Sequence, residues 1–299
     1  MAIIYSIQNQ KGGVGKSETA GNLAVGVSAA GYKTLLIIND PQANVQDVIL
    51  KEKNDITAEA AIQVREAFDK MEKEPDELKG YKALLQFTSQ RTYPVDISEV
   101  LENPIRITEA IYDTEYPNLD ILPASSKLSM TDTVIKASGK NPAGRLRMAL
   151  SYIDDRYDVI IIDNSPFENS LTYNSMCACY RDTDTIIIPV NISKRSMDGL
   201  SKTLTTLIEW LSTEPLRYDF KILITMKQRN KINEEWINTL RHIFPGRVFK
   251  QEIRYQSKPI EKSALQKKIL IEDNFKSNVQ DDYKAFIAEI LGDIKLKLK

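Results

Sequence analysis

The chain is poor in the residues that most often carry enzyme chemistry. His242 is the only histidine in 299 residues, and the only cysteines are Cys177 and Cys179. One histidine excludes every mechanism that needs two, such as HExxH zinc hydrolysis, and makes a Ser-His-Asp triad a poor candidate; acid–base work falls to carboxylates or lysines. Two cysteines one residue apart build no disulfide framework and close no useful loop, which fits a reducing cytosol. No apolar stretch reaches 18 residues, and the short run Ala2–Ile7 lacks the charged-then-apolar layout of a signal peptide, so a cytoplasmic protein is expected. Charge of one sign is missing as well: 40 basic against 41 acidic side chains leave a net −1. That balance excludes a uniformly basic nucleic-acid binder and leaves only local basic patches. At 42 % hydrophobic and 27 % charged, the composition is that of a globular chain with a sizeable core.

What is present is a rhythm of short apolar runs with helical patterns between them: Ile3–Ile7, Thr34–Ile38, Leu119–Leu122, Val159–Ile162, Thr185–Val190, Lys221–Thr225 and Val248–Ile253. Most are apolar throughout rather than alternating. This indicates strands buried on both faces of a doubly wound, mostly parallel sheet flanked by helices, an α/β fold whose ligands sit beyond the carboxyl ends of the strands. One domain spanning residues 1–299 is expected, with a helical insertion after the second strand at 51–93. From Lys51 to Lys79 that segment carries nine acids against six bases, with Ala60, Val64, Ala67, Phe68 and Met71 on one helical face. Its acidic side reads as a solvated outer face or as a docking surface.

At the other end, Val279, Tyr283, Phe286, Ile287, Ile290, Leu291 and Ile294 follow the spacing of an amphipathic helix over 275–299. Its polar face carries Asp281, Asp282, Glu289 and Asp293 rather than a row of Lys and Arg, which favours packing on the core over a membrane surface.

The sharpest signal follows the first strand. Gln8-Asn9-Gln10-Lys11-Gly12-Gly13-Val14-Gly15-Lys16-Ser17 leads directly into an apolar helical pattern, and three of the chain's 12 glycines fall in four positions. Strand, glycine loop, helix is the context of a P-loop. Glycines let backbone N–H groups close on phosphates, the helix start adds partial positive charge, Lys16 balances the β and γ phosphates, and Ser17 offers its hydroxyl to Mg²⁺. Lys11 is an extra cation that the general pattern does not require, and the usual first glycine is Gln10.

This variant, Lys11-Gly-Gly-Val-Gly-Lys16-Ser17, resembles the deviant Walker motif of the ParA/MinD ATPases. The resemblance implies that Lys11 reaches the nucleotide of an opposite subunit, so that ATP clamps a dimer face to face. Ile38-Asn39-Asp40-Pro41-Gln42-Ala43-Asn44 resembles the ParA-type Asp-x-Asp-Pro-Gln-Gly-Asn motif, which makes Asp40 the residue that orients the attacking water. Tyr157–Pro166 resembles the Walker B strand, whose Asp163 serves Mg²⁺ through water, and the two apolar strands that precede Asp40 and Asp163 are expected to flank the P-loop strand. On the same resemblance Lys11, Gly12, Gly13, Val14, Gly15, Lys16, Ser17 and Glu18 bind the nucleotide, and Lys11, Lys16 and Asp40 are catalytic. Resemblance covers most of residues 1–50 and 94–270. The chain departs from the motifs at Ile38, Ala43 and Glu18. A carboxylate at position 18 would repel the α-phosphate by roughly 1 kcal/mol at 4 Å in a water-like dielectric unless it turns outward, and slow hydrolysis is expected. The related nitrogenase-reductase family holds an iron–sulfur cluster at its dimer axis, but one Cys-x-Cys lacks the separated ligands this needs, and small buried helix residues are the better reading of Cys177 and Cys179.

Between Lys221 and Lys268 the sequence places twelve bases against four acids. That cluster reads either as a scattered solvated surface or as a contact for DNA phosphates, weakening as salt rises. The resemblance favours DNA and points to Lys194, Arg195, Lys227, Arg229, Arg254 and Lys258. No helix-turn-helix precedes the P-loop, so the short form of the family is expected. The function implied is a ParA-like ATPase for plasmid, conjugative-element or chromosome partitioning. It would be an ATP homodimer on non-specific nucleoid DNA, stimulated by a ParB-like centromere-binding protein, with no stable membrane association. A MinD-like membrane-cycling ATPase and a nucleotide-gated scaffold with negligible turnover are the alternatives.

Overall fold

The runs that are apolar on both sides become strands of one sheet. In the computed structural model, which describes residues 1–43, 45–50, 93–138, 141–192, 194–213, 218–274 and 276–298, the strands are β1 (Ile3–Ile7), β2 (Thr34–Asn39), β3 (Tyr112–Asp113), β4 (Leu119–Leu122), β5 (Val159–Asn164), β6 (Thr185–Asn191) and β7 (Asp219–Thr225). Their order is β3-β4-β2-β5-β1-β6-β7. All neighbours are parallel except the short β3–β4 pair. Every residue of β1, β2 and β5 is buried, as a sheet covered on both faces requires. The doubly wound α/β architecture is therefore the one the sequence predicts. The insertion expected at 51–93 lies outside the described residues, apart from Tyr93.

Ten α-helices are described: α1 (Lys16–Ala29), α2 (Gln46–Ile49), α3 (Ile97–Glu102), α4 (Leu128–Ala137), α5 (Arg145–Leu150), α6 (Ser170–Ala178), α7 (Lys194–Thr213), α8 (Lys231–Ile243), α9 (Ser257–Leu265) and α10 (Asn278–Lys297). Their starts follow local chemistry. Asn169, Asn230 and Ser277 accept backbone N–H bonds at the heads of α6, α8 and α10, and Asp96 and Glu99 form a reciprocal capping box on α3. Val279, Phe286, Ile290 and Ile294 of α10 are fully buried. The helix lies close against α1, where a Cβ on Gly26 would come within 2.5 Å of Ile287 Cδ1.

Two expectations are corrected. Val248–Ile253 is not a strand: it runs beside β7 with separate backbone bonds, Phe249 N to Ile222 O and Ile253 N to Ile224 O. Between them the Lys250 and Gln251 N–H groups donate instead to the Glu289 carboxylate of α10, at 3.1 and 3.0 Å, which breaks the ladder. The second correction concerns the strands expected to flank β1. Its neighbours are β5 and β6, and β2 lies one place further out, beyond β5. The first crossover skips a position that β5 later fills, so the switch point falls at β1, with the loop after it at the carboxyl edge.

Candidate nucleotide site

The glycine loop takes the form that an anion seat needs. Gly13 and Gly15 adopt φ of 71° and 83°, the left-handed region that costs a glycine little. Gly15 heads α1 with no side-chain cap, so the N–H groups of the first turn stay unspent by any capping side chain. A Cβ at Gly12 or Gly13 would meet nothing within 4 Å, which leaves room beside the loop. Val14 is buried, and its carbonyl accepts from Thr225 Oγ1 at the end of β7 at 2.9 Å.

Lys16 is 7 % exposed, and its ammonium donates to the Lys11 carbonyl at 2.8 Å, across the mouth of the loop. Burial lowers its pKa, opposed by Asp163 and Asp40. Lys11 itself is half-buried, its N–H bonded to Asn9 Oδ1 at 2.9 Å. Asp163 pairs in register with Ile7, the last residue of β1. It is fully buried, and neither carboxylate oxygen has a hydrogen-bond partner among the described residues. Burial pushes its pKa up to about 7; the facing Ser17 hydroxyl, which closes no full bond to it, and Lys16 pull it down, while Asp40 adds to the rise. Asp40 follows β2, 6 % exposed, with one oxygen accepting from the Gln42 N–H at 2.9 Å. A buried, unpartnered carboxylate beside a lysine, a serine hydroxyl and unspent helix N–H groups fits a magnesium-bound triphosphate: the cation would meet Asp163 and Ser17, and the phosphates the loop and Lys16.

The Glu18 carboxylate is tied along its own helix. It lies half-buried along α1, with Oε1 accepting from Asn22 Nδ2 at 2.7 Å. The outward turn expected for it is thus replaced by an internal bond.

Several groups that hold the loop carry no sequence signal of their own. Gln10, at the position of the missing first glycine, ties the loop to α7: its N–H donates to Thr203 Oγ1 at 3.1 Å and its amide to Thr206 Oγ1 at 2.8 Å. Gly199 on the same helix sits where a Cβ would come within 2.9 Å of Lys11 Cβ. Beneath the loop, a buried polar band runs from Asn39 to Asn164 to Ser6 to Ser175, with Gln8 joining at the last two. Only the spacing of small and hydroxyl residues on α7, at 199, 203 and 206, hints at this packing before the fold is known.

The basic segment proves mixed. Lys227 pairs with Glu234 and Glu252, at 2.8 and 2.7 Å, and Arg254 grips Asp282 through both Nε and Nη2. Lys221, Lys231, Arg241 and Arg247 also meet carboxylates. Arg229, Lys250, Lys258 and Lys268 are exposed and make no ion pair among the described residues. Lys194 and Arg195 open α7; their side chains are outside the description. Cys177 and Cys179 are buried thiols, and burial holds the Cys179 thiol well above its ordinary value, so it is inert.

A glycine loop between a buried parallel strand and a helix, with a buried lysine, a serine hydroxyl and a buried carboxylate on the adjacent strand, defines the class of P-loop nucleotide-binding proteins. Comparison with known proteins narrows it. A family model described as AAA domain matches residues 1–222. The chromosome partitioning protein ParA of Myxococcus xanthus is 30 % identical over 292 residues, covering 96 % of this chain and 87 % of that protein. Among solved structures, the ATP complex of a Cyanothece McdA variant superposes with a TM-score of 0.74 at 17 % identity, covering 97 % of this chain and 96 % of that one. Cobyrinic acid a,c-diamide synthase of Mycobacterium smegmatis, solved with an ATP analogue and magnesium, gives 0.69 at 19 %, covering 99 % and 96 %. The chain belongs to the ParA-type family of partitioning P-loop ATPases, and ATP with Mg²⁺ is the ligand pair its site fits.

Proposed function

We propose that this protein is an ATP-driven partitioning switch for a plasmid, conjugative element or chromosome. It would be a homodimer when ATP is bound, would hold non-specific nucleoid DNA on its basic surface, and would be reset when a ParB-like partner stimulates hydrolysis. The observation that carries this reading is the two-lysine loop, in which Lys16 is buried on the Lys11 carbonyl while Lys11 itself is only half-buried. In this reading Lys16 balances phosphate charge in its own subunit, and Lys11 turns to the nucleotide of the neighbouring copy. Gly12, Gly13, Val14 and Gly15 present backbone N–H groups to the phosphates, with Glu18 beside them. Ser17 and Asp163 hold the cation, and Asp40 accepts the proton side of the water that attacks. When bound, Mg²⁺ supplies charge neutralisation on the phosphate oxygens. Hydrolysis is slow until the partner binds.

Among the exposed bases, Arg229 and Lys258 are the ones this reading assigns to DNA, with Lys194 and Arg195 at the head of α7. Lys227 and Arg254, already paired with carboxylates, would shape that surface more than contact phosphate. A membrane-cycling role is disfavoured by the burial of the apolar face of α10. The test is light scattering after size exclusion, in ADP and in a non-hydrolysable ATP analogue with Mg²⁺. The wild type is expected to shift from monomer to dimer only in the analogue, and Lys16→Ala and Lys11→Ala are expected to stay monomeric. A Lys11→Ala variant that dimerises like wild type would remove the role in trans.

A further inference from the structure

Glu18 poses an electrostatic problem that its neighbours answer. It sits in the first turn of α1, one residue beyond Ser17, on the stretch whose N–H groups meet phosphate, where a carboxylate opposes an anionic ligand. Its side chain is drawn back along the helix instead. The Asn22 amide donates both to Glu18 Oε1 at 2.7 Å and to the Glu18 carbonyl at 2.8 Å. Asn22 is fully buried, and its Oδ1 accepts from the Ile271 N–H at 3.0 Å, which settles which way the amide faces. Ile271 in turn belongs to a loop bolted to α10: Gln280 Nε2 donates to the Leu270 carbonyl at 3.0 Å and to the Asp273 carbonyl at 2.6 Å. An unbroken chain of bonds therefore runs from the C-terminal helix to a carboxylate beside the phosphate seat.

We propose that Asn22 is a positioning residue that latches the Glu18 carboxylate away from the triphosphate, and that α10 sets the latch through the Leu270–Asp273 loop. The inference rests on the nucleotide reading above. Without the latch, Glu18 is free to swing toward the phosphates. The repulsion then weakens triphosphate binding by roughly fivefold at about 4 Å in a water-like medium, and by more as the site dries.

The test is calorimetric titration of the full chain with Mg²⁺ and the ATP analogue AMPPNP, for wild type, Glu18→Gln, Asn22→Ala and the double variant, with thermal melts alongside. Asn22→Ser, which keeps a hydroxyl for the Ile271 N–H, stands in should the alanine variant not fold. The expected result is a roughly five- to tenfold weaker Kd for Asn22→Ala, shrinking as salt rises, and a return to within about twofold of wild type in the double variant. The double variant has the same packing loss as Asn22→Ala, so rescue reports charge and not structure. A double variant as weak as Asn22→Ala, or an Asn22→Ala that binds like wild type, overturns the latch while leaving the nucleotide reading intact. A wild-type chain that binds no AMPPNP sinks both.

Discussion

Single residues carry the departures from the motif, and each has a measurable consequence. Ala43, where the ParA-type motif has glycine, is held at φ 49°. A Cβ in the left-handed region costs on the order of 1 kcal/mol. Ala43→Gly is therefore expected to raise the urea midpoint by an amount equivalent to at most about 0.6 kcal/mol, the remainder being lost to the freer unfolded glycine. At Asp163 the strain is electrostatic: a fully buried carboxylate lacks a hydrogen-bond partner among the described residues. Asp163→Asn should melt higher than wild type without ligand, by the equivalent of about 1–3 kcal/mol, yet lose the Mg²⁺-dependent part of nucleotide binding. An unchanged Mg²⁺ dependence would take the cation away from Asp163. Glu99 works in the opposite sense. Burial pushes its carboxyl up, but bonds from Lys127 and Asp96 outweigh this and hold it at about 2, below the ordinary 4.5. The stability it supplies is full above 4.5 and is lost as pH falls toward 2. Glu99→Gln should cost about 1 kcal/mol at pH 7, and the gap to wild type in melting experiments should close by about pH 2.

At the scale of elements, α10 is the part whose role depends most on what it touches. Its spacing alone suits either a core helix or a surface one. In the fold its apolar stripe is consumed against α1 and Phe249, and its acids become ties: Asp282 to Arg254, Glu289 to the Lys250 and Gln251 N–H groups, and Asp293 to Lys297 and Tyr5. Fully burying each of Val279, Phe286, Ile290 and Ile294 contributes about 1.5–3 kcal/mol, so together they rival the whole stability of a domain. Deleting residues 276–299 should thus abolish the cooperative melt followed by circular dichroism, rather than yield a folded chain freed from a membrane. Glu289→Ala is a gentler probe. It should leave the melt within about 1–2 kcal/mol of wild type and speed amide hydrogen exchange at Lys250 and Gln251.

For the whole molecule, a chain with a net charge of −1 can grip DNA only where its bases are not already spent on carboxylates. Among the described residues at least six of the twelve bases between Lys221 and Lys268 are spent in this way, including Lys227 and Arg254. Combined Arg229→Glu and Lys258→Glu should weaken DNA binding in the presence of the ATP analogue by at least about tenfold and flatten its salt dependence, with nucleotide affinity unchanged. Lys227→Ala should instead mainly lower stability. A charge count along the chain did not separate these groups, because pairing joins Arg254 to Asp282 and Lys227 to Glu252 across 28 and 25 positions. The phosphate loop, Asp163 and the parallel sheet were legible in the linear order, since glycine spacing, an apolar run and its terminal carboxylate are local chemistry. Tertiary structure alone decided that β5 rather than β2 lies beside β1, that Gln10 leans on α7, and that Glu18 turns to Asn22 under a loop held from the far end of the chain. These depend on which distant groups meet across a packed interior, and spacing along a backbone carries no record of that.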